Sequence, residues 1–420
     1  MIGAFTKLSS LAKVQYNKIR VDNLVFKLHY KFTMYFLLGA SVLVTMTTWI
    51  GEPIQCIHTQ GVGDPKQFGK ALQTYCWIMS TFTLPHLLDK EVGTEVPHAG
   101  VGPHTDEHEK TYHAYYQWVP FVLFFQGLVF YVPHWIWKAV ENKRLQNIVV
   151  GLNNPTLKAD EAKSKVNTLA QYMLNNLGRH QMFVILFGFC ELLNLIHILM
   201  EIKITDAFLG HEFSDFGIET IKFTQEDYEN RTDPLSRVFP LVTKCTWHMF
   251  GRSGTIEKYD AICVLALNII NEKIYIFLWF WFVLLSLISG IQLIYRITTF
   301  LLPQVRVWLI RFSSKTMKPG VIESLVSRLK VGDWFILYHL KQFVDPINFE
   351  KVVIELEQML SPEQPGLMKT NRGHSIDMVD DSSSVSGDFN RKSGKPVPTV
   401  KRHGSMRPLL GRFFSKHSSS

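Results

Sequence analysis

Apolar positions in this chain gather into four long uncharged or nearly uncharged runs instead of recurring at a helical or strand period. The runs are 32–50 (19 residues), 118–137 (20), 182–200 (19, with one glutamate) and 274–295 (22). At about 1.5 Å of rise per residue, each would cover roughly 28–33 Å as a helix, the thickness of a hydrocarbon core. Buried helices of a soluble protein have shorter runs, broken by charges. The pattern predicts an all-α membrane protein with four transmembrane helices and helical cytoplasmic regions. The expected segments are an N-terminal stretch 1–31, spans 32–50, 118–140, 182–200 and 274–295, and loops 51–117, 141–181 and 201–273. A helical region 296–360 and a disordered tail 361–420 complete the chain.

Charge orients these spans. Residues 1–31 carry six Lys/Arg and one acid, and the loop 51–117 has four basic and eight acidic residues. Segment 138–181 has seven basic and three acidic, 201–272 seven and twelve, and 296–420 nineteen and eleven. The sign alternates at every span. By the positive-inside rule both termini and the middle loop are cytoplasmic and the two acidic loops are outside. The short middle loop and the N-terminus carry most of this weight, because the rule weakens for loops beyond about 60 residues. The formal net charge of +8 does not point to nucleic acid, because no aromatic–basic platform stands apart from the spans. No short apolar region followed by a small-residue cleavage site precedes the first span, which is therefore expected to act as an uncleaved insertion signal.

Chemistry-bearing residues change the picture at a few positions. Residues 3–30 mix basic and apolar side chains at helical period, as an amphipathic helix on the inner leaflet or one folded into a pore would. The first span holds Thr33, Ser41, Thr45, Thr47 and Thr48, which suits close helix contacts or a wet lining. In the second span Trp118, Trp135 and Trp137 mark the two membrane interfaces, with Tyr112, Tyr115 and Tyr116 at its start. Pro120 lies in a first turn, where its missing N–H costs little, whereas Pro133 is expected to free the Val129 carbonyl and bend the helix. Glu191 sits within the third span, where an acid is paired or wet. The stretch "YCWIMSTFT" has strand or packed-turn character. Six histidines lie between Gly51 and Gln117, most of them read as solvated loop residues.

Four of the five cysteines, Cys56, Cys76, Cys245 and Cys263, fall in the two acidic loops, and Cys190 falls in a span. An exterior location favours disulfides, and four cysteines allow three pairings. Their spacing is not that of a compact metal site. Asn230-Arg-Thr232 forms a glycosylation sequon on the same side. The tail 361–420 is polar and rich in Ser, Gly and Pro, and Ser375, Ser393 and Ser405 follow basic residues as candidate phosphorylation sites.

The segment "YYQWVPFVLFFQGLVFYVPHWIWK", opening on Tyr115, Tyr116, Gln117, Trp118 and Val119, resembles the signature of the innexins, the invertebrate gap-junction subunits. "GEPIQCI", "CELLNLI", "RVFPLVTKCTWHMFGRSGTIEKYDAICVLALNIINEKIYIFLWFWF" and "GDWFILYHL" extend the likeness over about residues 1–360. The resemblance implies a multi-pass plasma-membrane protein of gap junctions. It implies a ring-shaped oligomer of identical or related innexin subunits that docks with a hemichannel on the adjacent cell and passes ions and small metabolites. It implies disulfides Cys56–Cys263 and Cys76–Cys245, and a pore lined by the N-terminus, the first span and the start of the first loop. It also assigns the Pro133 kink to gating or packing. The alternative is an undocked, pannexin-like release channel. Membrane lipid and partner subunits are the expected contacts. No cofactor or enzymatic activity is expected, since no nucleophile–base set or phosphate-cradling loop is present.

Overall fold

The computed structural model describes residues 21–57, 65–105, 107–142, 144–149, 152, 158–225, 235–251, 253–313, 317 and 319–361. Asn230, Ser375, Ser393 and Ser405 lie outside the described residues, as do residues 1–20 of the N-terminal stretch and 362–420 of the tail.

Four helices are long and apolar enough to cross a membrane: α1 (Leu24–Ile50), α3 (Val119–Glu141), α5 (Gln181–Phe208) and α7 (Ala266–Leu301). Asn23 starts α1 by accepting the N–H of Phe26 on its side chain, at 2.7 Å. The turn Leu28–Thr33 is π-helical, and the α form resumes at Met34. Pro133 brings no N–H, and the α-helical pattern of α3 breaks at Phe130–Tyr131 and resumes at Val132. Both α5 and α7 run past their apolar segments. The first two turns of α7 bury Asn268, Asn271 and Glu272 among loop residues, and the Asn268 amide donates to the Pro240 carbonyl at 2.8 Å.

The two long loops are woven together. The first supplies β1 (Gln55–Ile57), helix α2 (Pro65–Met79), β2 (Thr81–Thr83) and β3 (Thr111–His113). The second supplies helix α6 (Phe213–Gln225) and the hairpin of β4 (Val242–Phe250) and β5 (Ile256–Val264). The sheet order is β1-β5-β4-β2-β3, all antiparallel, so strands of the first loop flank the hairpin of the second on both sides. A five-stranded sheet thus caps the helical spans. The stretch 75–83 divides: Tyr75–Met79 finishes α2, Ser80 turns at φ 71°, and Thr81–Thr83 is the strand.

At the opposite end α4 (Ala159–Asn175), α8 (Pro303–Ser313), α9 (Pro319–Arg328), α10 (Val331–Phe343) and α11 (Pro346–Leu360) form a helical layer. A core of Trp137, Phe183, Phe187, Trp334, Phe335 and Leu356 joins it to the ends of α3 and α5. Asp333, fully buried, fixes the entry to α5: it accepts the Gly178 N–H at 2.8 Å and bonds the His180 ring at 2.8 Å. Gly332 lies against the His180 carbonyl and the Gln181 amide, with no room for a Cβ. Gly332→Ala is expected to cost about 1–3 kcal/mol and to lower the melting temperature of the detergent-solubilised protein. An unchanged melting temperature would mean that the 178–181 backbone yields freely.

Candidate functional site

The chemistry of the molecule is mechanical. It lies in the cross-linked sheet, in the junction between sheet and spans, and in the polar contacts between helices. Cys56 stands directly opposite Cys263 in the β1–β5 ladder, and the two are bonded. Cys76, near the end of α2, is bonded to Cys245 on β4. Each bridge joins the first loop to the second. The sulfurs of Cys56, Cys76 and Cys263 lie within 4.8 Å of one another, so the bridges form one buried block. Being oxidised, these sulfurs are not thiolate ligands. Cys190 is buried on α5 as a free thiol.

Residues 115–119 form the junction between sheet and span. Tyr116 is buried and packs against the Trp77 ring at a tilt, centroids 4.8 Å apart, while Tyr115 meets Phe239 edge-on at 5.7 Å. The Gln117 amide donates to the Trp77 carbonyl. Val119 is buried and Trp118 is exposed. This segment therefore clamps the top of α3 to α2 and to the second loop. Burial pushes the Tyr116 phenol up to about 12.

Beside it, the His113 imidazole bonds the Thr83 hydroxyl at 2.8 Å, joining β3 to β2, and burial pushes it down to about 4. A depressed histidine pKa means that the unfolded chain binds the proton first. The contribution of this contact is complete above about pH 6.5 and is lost as pH falls towards 4, at most ~3 kcal/mol. Hydrogen exchange of the β2–β3 amides should accelerate across that window. His113→Gln should flatten the dependence, and an unaltered profile would remove His113 as its source.

Contacts between the spans are specific. The Ser41 hydroxyl on α1 donates to the Pro120 carbonyl on α3 at 2.7 Å. Gly127 lets α3 approach Leu37 and Leu38 of α1. Thr45, Thr47 and Thr48 turn their hydroxyls back onto carbonyls four residues earlier. Their oxygens are thus satisfied within α1. Tyr35, Val42, Leu43, Met46, Trp49 and Ile50 of the same helix are exposed in the single chain.

Glu191 is paired within its own chain. Arg296 holds it with two hydrogen bonds, Nε to Oε2 at 2.6 Å and Nη2 to Oε1 at 2.9 Å. Asn23 and Gln292 donate to Oε1 at 2.6 and 3.0 Å. The guanidinium lies over Phe187 at 4.8 Å and Phe335 at 5.2 Å. One carboxylate therefore gathers the start of α1, the middle of α5, the end of α7 and helix α10. Sequence reading singled out Glu191 but not its partners. The available signal was Arg296, the first base after the last apolar run.

The innexin family model matches residues 22–360. The chain belongs to the innexin family. The innexin inx2 proteins of Schistocerca americana and Drosophila melanogaster are 41% and 42% identical to it, each over 87% of this chain and over 99% and 97% of the relative. Innexin shaking-B of Drosophila melanogaster is 40% identical over 87% of this chain and 98% of the relative. An innexin with four such helices is a multi-pass plasma-membrane protein. The motifs "GEPIQCI", "YYQWV" and "GDWFILYHL" now have physical roles. They hold the sheet edge with its bridge, the clamp on the top of α3, and the Asp333 anchor of α5.

Proposed function

We propose that this innexin is the structural subunit of an intercellular channel that passes ions and small metabolites between adjacent cells. Identical or related chains form a ring in one membrane, and the disulfide-bonded sheet faces outward to meet a ring on the neighbouring cell. Both termini and the helical layer lie in the cytoplasm in this reading. The Asn230 sequon is then outside, and Ser375, Ser393 and Ser405 are within reach of kinases. The alternating loop charge and the oxidised cysteines support that orientation.

The observation that carries the docked reading is the β4–β5 hairpin. Among the described residues its far half, 246–250 with 256–260, pairs only with itself. It is braced from behind by α2, with Trp247 meeting Tyr75 edge-on at 4.6 Å and Tyr259 meeting Phe68 at 5.9 Å. At its tip Phe250 and Ile256 are 82% and 69% exposed. A braced hairpin offering two large apolar side chains suits a protein contact better than water.

Phe250→Ser with Ile256→Ser is expected to remove most junctional conductance between paired cells while leaving dye uptake by isolated cells unchanged. Loss of both would place the defect in assembly. Retained conductance would move the docking surface elsewhere.

A further inference from the structure

Where the sheet meets the start of α3 and the end of α5, the chain forms a half-open cavity of about 680 Å³. Tyr112 of β3, Trp118 just before α3, Phe208 and Leu209 at the end of α5, Glu212 beyond the turn, and Arg237 line it. Its volume falls within the roughly 300–1,000 Å³ typical of small-ligand sites.

Three observations bear on what it holds. The first is depth. The cavity sits where two apolar spans give way to the sheet, the level at which Trp and Tyr meet lipid headgroups. Tyr112 and Trp118 are both largely exposed there instead of being packed into the protein. The second is charge. Both an acid, Glu212, and a guanidinium, Arg237, line the cavity, which suits a ligand carrying both signs better than a simple anion or cation. Arg237 approaches Asp89 at 3.5 Å, a loose contact between exposed side chains. A guanidinium carries five N–H donors, so this contact leaves it able to grip a phosphate as well. His113 also lines the space, but burial keeps it neutral near pH 7, so it adds no charge. The third is the aromatic surface. Ring faces attract ammonium groups, quaternary ones included. Phe208 and Leu209 supply an apolar wall on the side of the spans.

We propose that this cavity binds the headgroup of a zwitterionic membrane phospholipid, with its phosphate at Arg237 and its ammonium between Glu212 and the rings of Tyr112 and Trp118. The acyl chains would leave along α3 and α5. Such a lipid would wedge the sheet against the spans from the membrane side.

The test uses the full-length oligomer, delipidated in detergent and then incubated with radiolabelled lipids of identical acyl chains. The probes are phosphatidylcholine, phosphatidylglycerol and diacylglycerol, and retention is measured after gel filtration. Phosphatidylcholine should be retained about tenfold over each of the others, the scale of one charge-assisted contact. Arg237→Ala should reduce it to the diacylglycerol level. Glu212→Gln, which preserves shape, should weaken phosphatidylcholine and strengthen phosphatidylglycerol. Unchanged elution position and intact disulfides would show that the variants are folded.

Phosphatidylglycerol bound as well as or better than phosphatidylcholine would make this a plain anion site and overturn the proposal. Diacylglycerol bound equally well would reduce it to an apolar slot, with the same consequence. Retention of none of the three would mean that a neighbouring subunit fills the cavity, and the assignment would again fall.

Discussion

Arg296→Met is expected to keep this innexin from reaching the cell surface as a stable oligomer. In the native chain the Glu191 carboxylate accepts four hydrogen bonds, two of them from Arg296, and the pair is buried. Removing the guanidinium leaves a charge among helices with only two neutral amide donors. Breaking a buried pair from one side costs about 3–5 kcal/mol, because the remaining charge keeps its desolvation penalty without compensation. The damage would not stay local. Asn23 belongs to the start of α1, Gln292 to α7, and Phe335, under the guanidinium, to α10. Glu191→Gln keeps the shape and should fall between wild type and Arg296→Met. Replacing both partners, Glu191→Leu with Arg296→Met, should recover much of the loss, since an apolar pair of similar volume leaves no stranded charge. Surface biotinylation and the melting temperature of the solubilised oligomer measure this directly. A wild-type result for Arg296→Met alone would mean that water reaches Glu191 in the assembled oligomer and that the pair is not a structural node.

The spans were readable because the bilayer imposes one requirement on them, a long uncharged run, and that requirement is local in sequence. Their ends were less readable. The last span extends to the 36 residues of α7 because Asn268 binds the Pro240 carbonyl and Asn271 and Glu272 are buried beside it instead of facing lipid. Sheet order was not readable either. β1, β2 and β3 have three residues each, too few for any period, and β1 and β2 each pair with a strand of the other loop. The Glu191 site was half readable. A membrane-embedded acid announces that it needs a partner, but Arg296 is 105 residues away and Asn23 is 168 away. Asp333 carried less signal still, since its partners are the backbone at Gly178 and the ring of His180.

Cys76→Ser is expected to abolish junctional conductance, whereas Cys190→Ala should leave it near wild type. The two bridges are nested, with Cys76–Cys245 lying inside the loop closed by Cys56–Cys263. With the outer bridge intact, the inner one does not close a 169-residue loop. It closes a ring of roughly 40 residues, made of the 20-residue step from Cys56 to Cys76 and the 18-residue step from Cys245 to Cys263. On the chain-entropy model a ring of that size contributes about 4 kcal/mol. The sheet it holds has three strands of only three residues each beyond the central hairpin, too little to persist alone in water. Losing the inner bridge frees α2 from β4, and α2 braces the β4–β5 hairpin through Tyr75 and Trp247. Conductance should therefore fail even where the protein still reaches the surface. Cys190 has no such role: it fills apolar space on α5, and truncation to alanine removes one sulfur. Paired-cell recording with surface biotinylation separates the cases. A membrane-impermeant reductant applied outside should reproduce the Cys76→Ser phenotype in the wild type and add nothing to the variant. Full coupling by Cys76→Ser would show that the strand ladder alone holds the two loops together. Insensitivity to the external reductant alongside a dead variant would place the bridges on the opposite side of the membrane or beyond the reductant's reach.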